Sequence, residues 1–121
     1  MNVCKVACWN AHGIRYKQAL IRMMMAEDGI DFLFISETWM TQTMYEDTNN
    51  ITIGNALPKT APGFGYHLGA ALISTLPRET YEVHYVDERT IVWSYHGLQF
   101  TGEYIPPWST EEDEERHMVK N

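Results

Sequence analysis

The sequence predicts an α/β fold built on a parallel strand-helix-strand unit, on three observations. Two short apolar runs, Val3 to Trp9 and Ile30 to Ile35, flank a stretch whose apolar residues fall at helical spacing. Each run ends in a polar cluster, Asn10-Ala11-His12-Gly13 after the first and Ser36-Glu37-Thr38 after the second. Parallel strands joined by a helical crossover present their C-terminal ends on one side of the sheet. Asn10 and Glu37 are therefore expected to converge although they are far apart in the chain.

Val3 to Trp9, broken only by Lys5, reads as a strand covered on both faces. From Tyr16 the residues Tyr16, Ala19, Leu20, Met23 and Met24 form an apolar helical stripe, with Lys17, Gln18, Arg22 and Glu27 around it. Met23-Met24-Met25 reads as core and helix filling, and Gly29 closes the helix. Ile30 to Ile35 is a second buried strand. Met40 to Asn50 is polar and turn-rich, a loop before a short strand at Ile51 to Gly54. Leu57 to Gly65 is a second loop, whose Gly63-x-Gly65 pair is too short to cradle a phosphate. Leu68 to Leu76 is an apolar strand closed by Pro77. Glu79 to Val86, Thr90 to Tyr95 and Leu98 to Tyr104 follow as three strands, with turns near Asp87-Glu88 and His96-Gly97. Pro106-Pro107 stops the last one, and Ser109 or Thr110 is placed to cap a helix beginning in the acidic run beyond.

At 121 residues the chain fits one domain. It holds 9 basic and 16 acidic residues, a net charge of −7, with five of the acids in the run from Glu111 to Glu115. No cluster of Lys and Arg, and no basic-aromatic interleaving, marks a groove for nucleic acid. The N-terminus has no secretory apolar region and no apolar run approaches a membrane span, so an intracellular protein, nuclear or cytoplasmic and not secreted, is expected, with no membrane partner. The Asn50-Ile51-Thr52 triplet fits a glycosylation acceptor, but nothing else points to secretion. Cys4 and Cys8 stand about 13 Å apart along one strand, too far to bridge, and buried thiols are expected. With His12 their spacing hints at zinc, but a strand cannot gather those ligands around one tetrahedral ion. His67, His84, His96 and His117 have no ligand spacing.

A carboxylate at the end of a buried strand costs free energy without a counter-charge, so a bound cation is a natural partner for Glu37. Each candidate residue also has a plainer reading. Asn10 fits the cap of a turn, Glu37 a solvated strand end, and Tyr104 half-buried packing with a wet hydroxyl.

The segments Trp9-Asn10-Ala11-His12-Gly13-Ile14, Ser36-Glu37-Thr38-Trp39, Gly69-Ala70-Ala71-Leu72-Ile73-Ser74 and Gly102-Glu103-Tyr104-Ile105-Pro106 resemble, in order, the first four motifs of the endonuclease/exonuclease/phosphatase superfamily. The Ser-Glu-Thr-Trp wording is closer to the endonuclease domains of LINE-type retrotransposons than to the abasic-site repair enzymes. The resemblance covers roughly residues 2 to 108. It implies the N-terminal half of a four-layer α/β sandwich, a mixed sheet with at least one flanking helix. It implies a metal-dependent phosphodiesterase that nicks DNA. Glu37 matches the glutamate that ligates Mg²⁺ (Mn²⁺ as the alternative ion), Asn10 the asparagine that orients metal and phosphate, and Tyr104 the tyrosine at the scissile phosphate. No role transfers to His12.

The family's later Asp-x-Asn and Ser-Asp-His motifs have no counterpart before Asn121, and Asp113 is a poor substitute because no Asn follows two residues on. Residues 1 to 121 are thus expected to form a partial domain that binds metal with activity near background. Half of a two-sheet sandwich is expected to leave one inner sheet face bare, inviting self-association or a complementary C-terminal segment. Two other readings use the same residues: a phosphatase or phosphodiesterase acting on a small phosphoester, and a non-catalytic interaction module.

Overall fold

The computed structural model describes residues 4–59 and 65–107. The candidate cap at Ser109 or Thr110 and the acidic run beyond it lie outside the described residues, as does Gly63. Among the described residues the element order is β1 (Val6–Asn10), α1 (Gln18–Asp28), β2 (Phe32–Ser36), β3 (Ile51–Gly54), β4 (Leu57–Pro58), β5 (Tyr66–His67), β6 (Ala70–Ser74), β7 (Tyr81–Val86), β8 (Thr90–Tyr95) and β9 (Leu98–Glu103). The α/β class and the parallel pairing of β1 with β2 are as the sequence predicts.

Strands β1, β2, β6 and β3 form a mixed sheet in that order, while β7, β8 and β9 form an antiparallel sheet. β2 joins the layers. Its side chains alternate, so Leu33 and Ile35 face α1 while Phe32 and Phe34 face the second sheet. On the helix side they meet Ile14, Ile21, Met25 and Ile73. On the other side Phe32 sits amid Tyr81, Trp93, Tyr95 and Phe100, with ring centroids 5.2 to 6.2 Å apart. Gly102 of β9 passes so close that a Cβ there would lie 2.4 Å from the Phe34 ring. The mixed sheet is thus covered on both faces, which corrects the expectation of a bare inner face. The second sheet supplies the cover that a longer chain was expected to provide.

Several boundaries and burials differ from the sequence reading. Among the described residues β1 is an edge strand with Cys8, Trp9 and Asn10 exposed, because the sheet order gives it one neighbour there; an apolar run does not reveal how many neighbours it has. Cys8 is accordingly exposed and Cys4 only partly buried, and both are free thiols. The helix turns inward a different face from the one expected. It buries Gln18, Ile21 and Met25, whereas Leu20, Met23 and Met24 are about half exposed. Both stripes fit a 3.6-residue period. The tertiary contact that selects the inner one is Gln18, whose side chain donates to Asp47 O at 2.6 Å and accepts from Glu46 N at 3.0 Å. Of the three consecutive methionines only Met25 fills the core. Within the segment read as a loop, β4 pairs with β5 just beyond it, Leu57 opposite His67 and Pro58 opposite Tyr66.

Turn chemistry agrees with the sequence. Gly29 caps α1 at φ 67°, donating to Ala26 O and Met25 O. His96 and Gly97 join β8 to β9 with φ 48° and 79°, the positive pair that a two-residue hairpin of type I′ requires. No helix among the described residues is long and apolar enough to cross a membrane.

Two outcomes follow from this packing. Gly102→Ala, pushed against Phe34, should lower stability by about 1–3 kcal/mol as overpacking does; a urea-melt midpoint like that of the parent would refute the close approach. Burial, opposed in part by the nearby Thr38 hydroxyl, raises the Tyr45 hydroxyl to about 12. The protonated phenol is favoured in the folded state, so its contribution is intact below pH 10 and is lost as pH rises toward 12. That loss is on the order of 3 kcal/mol at about 1.4 kcal/mol per pH unit. Tyr45→Phe should remove it from stability measured across that pH range.

Candidate active site

The two parallel strands end together, and their pairing runs on into the loops. Ala11 N donates to Ser36 O, Gly13 N to Glu37 O and Ile14 N to Thr38 O, at 3.0, 2.8 and 3.2 Å. From the other side Thr38 N reaches Gly69 O at 3.1 Å and Trp39 N reaches Leu68 O at 3.0 Å. Held from both sides, Glu37 takes φ 54° and Trp39 φ 57°, and His12 across the pairing has φ 51°. Left-handed backbone at non-glycine residues costs on the order of 1–3 kcal/mol each and persists only where the surroundings over-determine it. Gly69 is part of that grip. At φ 94° it tolerates no side chain, and a Cβ there would lie 2.4 Å from Thr38 Oγ1.

The backbone twist turns the Glu37 side chain inward, where the residue is 6% exposed. Its Oε1 accepts from the Tyr104 hydroxyl at 2.9 Å. Its Oε2 is buried with no hydrogen-bond donor among the described residues. His12 Nδ1 stands 3.3 Å from Oε2 without hydrogen-bond alignment, on a side chain 68% exposed. Tyr104 comes from the second sheet and is fixed by Arg89, which is buried. Tyr104 N donates to Arg89 O, and Arg89 Nε donates back to Tyr104 O, both at 3.0 Å. Burial raises the Tyr104 pKa, the hydrogen bond to Glu37 and its charge raise it further, and the Asn10 side chain and Arg89 oppose them.

The structure therefore brings Asn10 at the end of β1 and Glu37 just after β2 together, as the parallel strand order predicts, and adds Tyr104 from the end of β9. It adds His12, to which the sequence assigned no role, and Arg89, which the sequence did not single out. His12 signals itself only by lying two positions beyond Asn10, and Arg89 only as a lone cation in an acidic turn. No group of three His, Cys, Asp or Glu side chains is placed to hold a metal among the described residues. The buried, half-unpartnered carboxylate is still a donor for a hard cation, and Mg²⁺ needs only one or two carboxylates when water and phosphate complete its shell.

Beside this cluster lies a cleft of about 370 Å³. Arg15, Trp39, Lys59 and Tyr66 line it together with Thr38. Two cations and two aromatics thus meet in space although no run of sequence pairs them. Trp39 is 42% exposed and sits edge-on to the His12 ring at 6.0 Å.

No family model and no curated protein sequence matches the chain. Solved structures do. The chain is similar to a 3′ phosphatase, NExo, from Neisseria bound to product DNA hairpin, with TM-score 0.56 and 14% identity over 84% of this chain and 41% of that one. It is similar to an AP endonuclease from Archaeoglobus fulgidus, with TM-score 0.60 and 19% identity over 96% of this chain and 46% of that one. The 3′-5′ exonuclease NExo of Neisseria meningitidis gives TM-score 0.57 and 11% identity over 93% of this chain and 47% of that one. The chain thus has the fold of exonucleases and AP endonucleases and spans less than half the length of each.

The site geometry sets two expectations. Tyr104→Phe strips Glu37 of a buried donor and should cost about 1–3 kcal/mol, whereas His12→Ala, largely in solvent, should cost under about 0.5 kcal/mol; urea denaturation of both variants decides. In Glu37→Gln the Tyr104 phenol should titrate at lower pH than in the parent, because both the hydrogen bond and the charge that raise it are changed. NMR of the labelled tyrosine ring reads this directly, and an unmoved titration would mean that Glu37 does not act on Tyr104.

Proposed function

We propose that this chain carries the metal- and phosphate-binding side of a DNA-directed phosphodiester hydrolase, and that alone it holds Mg²⁺ with turnover near background. The observation that carries the reading is the Glu37 carboxylate, buried at a strained strand end with one oxygen on Tyr104 and the other without a donor. A buried carboxylate left so is unfavourable unless something cationic completes it. When bound, Mg²⁺ supplies charge neutralisation at a phosphoryl oxygen and at the leaving oxygen.

The remaining roles belong to the side chains. Tyr104, a protonated phenol at neutral pH, has one O–H to give, and it gives it to Glu37, fixing the carboxylate for the metal. Asn10, at the mouth of the site with its side chain on the Tyr104 hydroxyl, is suited to orient a phosphate oxygen. Arg15 and Lys59 in the adjoining cleft are suited to the flanking phosphates, and the exposed Trp39 ring to stacking on a base. These last features favour a polynucleotide over a small phosphoester. The Ser36-Glu37-Thr38-Trp39 wording favours a LINE-type endonuclease reading. Among the described residues no carboxylate other than Glu37 joins the site to act as the base, which is the ground for turnover near background: a missing general base costs typically 10²–10⁴ in rate.

The test combines binding with chemistry. Mg²⁺ should raise the melting temperature of the parent and leave Glu37→Gln unchanged, and supercoiled plasmid should be nicked no faster than by buffer with Mg²⁺. Equal Mg²⁺ responses in parent and variant would remove Glu37 from the metal site. Mg²⁺-dependent nicking that vanishes in Glu37→Gln would instead show a complete active site in this chain.

A further inference from the structure

We infer that His12 is a second protein ligand to the ion that Glu37 holds, and that its imidazole makes the site prefer a divalent transition ion to Mg²⁺. The inference rests on the reading of Glu37 as a metal ligand and adds which class of ion that site selects. His12 Nδ1 and Glu37 Oε2 lie 3.3 Å apart. Oε2 is the carboxylate oxygen that is buried without a hydrogen-bond donor among the described residues. A nitrogen and an oxygen this close, yet not aligned along the line between them, can both direct a lone pair at a third point. If each lies about 2.1 Å from one ion, the usual length for imidazole nitrogen and carboxylate oxygen, a separation of 3.3 Å subtends about 100° at the ion. That angle falls between the octahedral right angle and the tetrahedral angle. The pair is therefore spaced as adjacent ligands of one ion.

The imidazole is held in place although its side chain is 68% exposed. The residues on either side of His12 are both bonded to the continuation of β2, Ala11 N to Ser36 O and Gly13 N to Glu37 O. Between them His12 is fixed at φ 51°, a conformation that a non-glycine residue keeps only under constraint. Trp39 adds a side-chain contact. It packs on Gly13, where a Cβ would lie 2.8 Å from its Cε3, and it meets the His12 ring edge-on. The strained loop thus sets a nitrogen donor beside the one carboxylate oxygen that the protein leaves unpaired.

The donor set decides the ion. Mg²⁺ is a hard cation that takes oxygen ligands, so an imidazole adds little to its binding. Imidazole suits the later first-row ions, and affinity for a site of nitrogen and oxygen donors rises from Mn²⁺ to Co²⁺ and beyond. Water, phosphate or further groups complete the shell around the two side chains. The competing reading is a plain ion pair, with a protonated His12 as the counter-charge of Glu37. It predicts the opposite response, because an imidazolium competes with a cation for Oε2 and its removal would strengthen metal binding.

Calorimetric titration of the full chain with Co²⁺ and, separately, Mg²⁺ tests the inference. A Cys4→Ser/Cys8→Ser background removes the two thiols as competing soft ligands. Co²⁺ should bind more tightly than Mg²⁺, and its paramagnetism should shift the His12 and Trp39 ring signals in NMR spectra. His12→Ala should weaken Co²⁺ at least about tenfold, since loss of a group that merely supports a ligand already costs that much. The same variant should leave Mg²⁺ affinity within about twofold of the parent. His12→Asp, which tolerates left-handed backbone, should strengthen Mg²⁺ and narrow the gap between the two ions. Co²⁺ affinity that is unchanged or raised in His12→Ala would overturn the proposal, as would a parent that binds Mg²⁺ as tightly as Co²⁺. Glu37→Gln separates the two readings. If it weakens both ions while His12→Ala leaves Co²⁺ untouched, Glu37 is a metal ligand and His12 is not. If it weakens neither, the metal reading of Glu37 falls and this inference falls with it.

Discussion

β2 is packed on both faces, and the rest of the molecule depends on that constraint. A strand whose odd residues sit against a helix and whose even residues sit against a second sheet cannot slip by one position without exchanging its two cores. Phe32 and Phe34 need the aromatic pocket of the antiparallel sheet, while Leu33 and Ile35 need the smaller apolar space under α1. The register of the whole mixed sheet is fixed accordingly, and with it the point at which the chain leaves β2. That point is Glu37.

The site is best understood as the consequence of ending such a strand inside the molecule. Backbone hydrogen bonds to the loop after β1 and to the segment at Leu68-Gly69 leave Glu37 no freedom to relax its left-handed conformation. The carboxylate is then held away from water, and the structure satisfies it only in part, through Tyr104. Tyr104 is itself positioned from the second sheet by two backbone-level contacts with Arg89. The two sheets therefore meet chemically at one carboxylate as well as through their apolar faces. A site assembled in this way is stiff before any ligand arrives, which is the condition under which a single charged group is most effective.

The opposite character is found at β1. There, among the described residues, the sheet ends in a strand with one neighbour beside an apolar helix flank. Asn10, at its C-terminal end, belongs to both environments. A contact along that edge would run into the neighbourhood of the site through that residue, and the two features are linked by the path of one strand.

The sequence by itself determined the local and periodic parts of this protein. Alternation and turn residues placed the strand-helix-strand unit, the Gly29 cap, the β3 and β8 strands and the His96-Gly97 turn, because each depends on neighbours within a few positions. Parallel strand order alone was enough to bring Asn10 and Glu37 to the same end of the sheet. Only the tertiary structure decided which of two equally periodic faces α1 buries, since the choice rests on Gln18 reaching Asp47 and Glu46. It decided that β1 is an edge among the described residues, because an apolar run reads alike with one neighbour or two. It also decided the partners of Glu37, for His12, Arg89 and the Arg15-Lys59 cleft come together through contacts between distant segments, and distance in space between such segments leaves no period in the sequence to read.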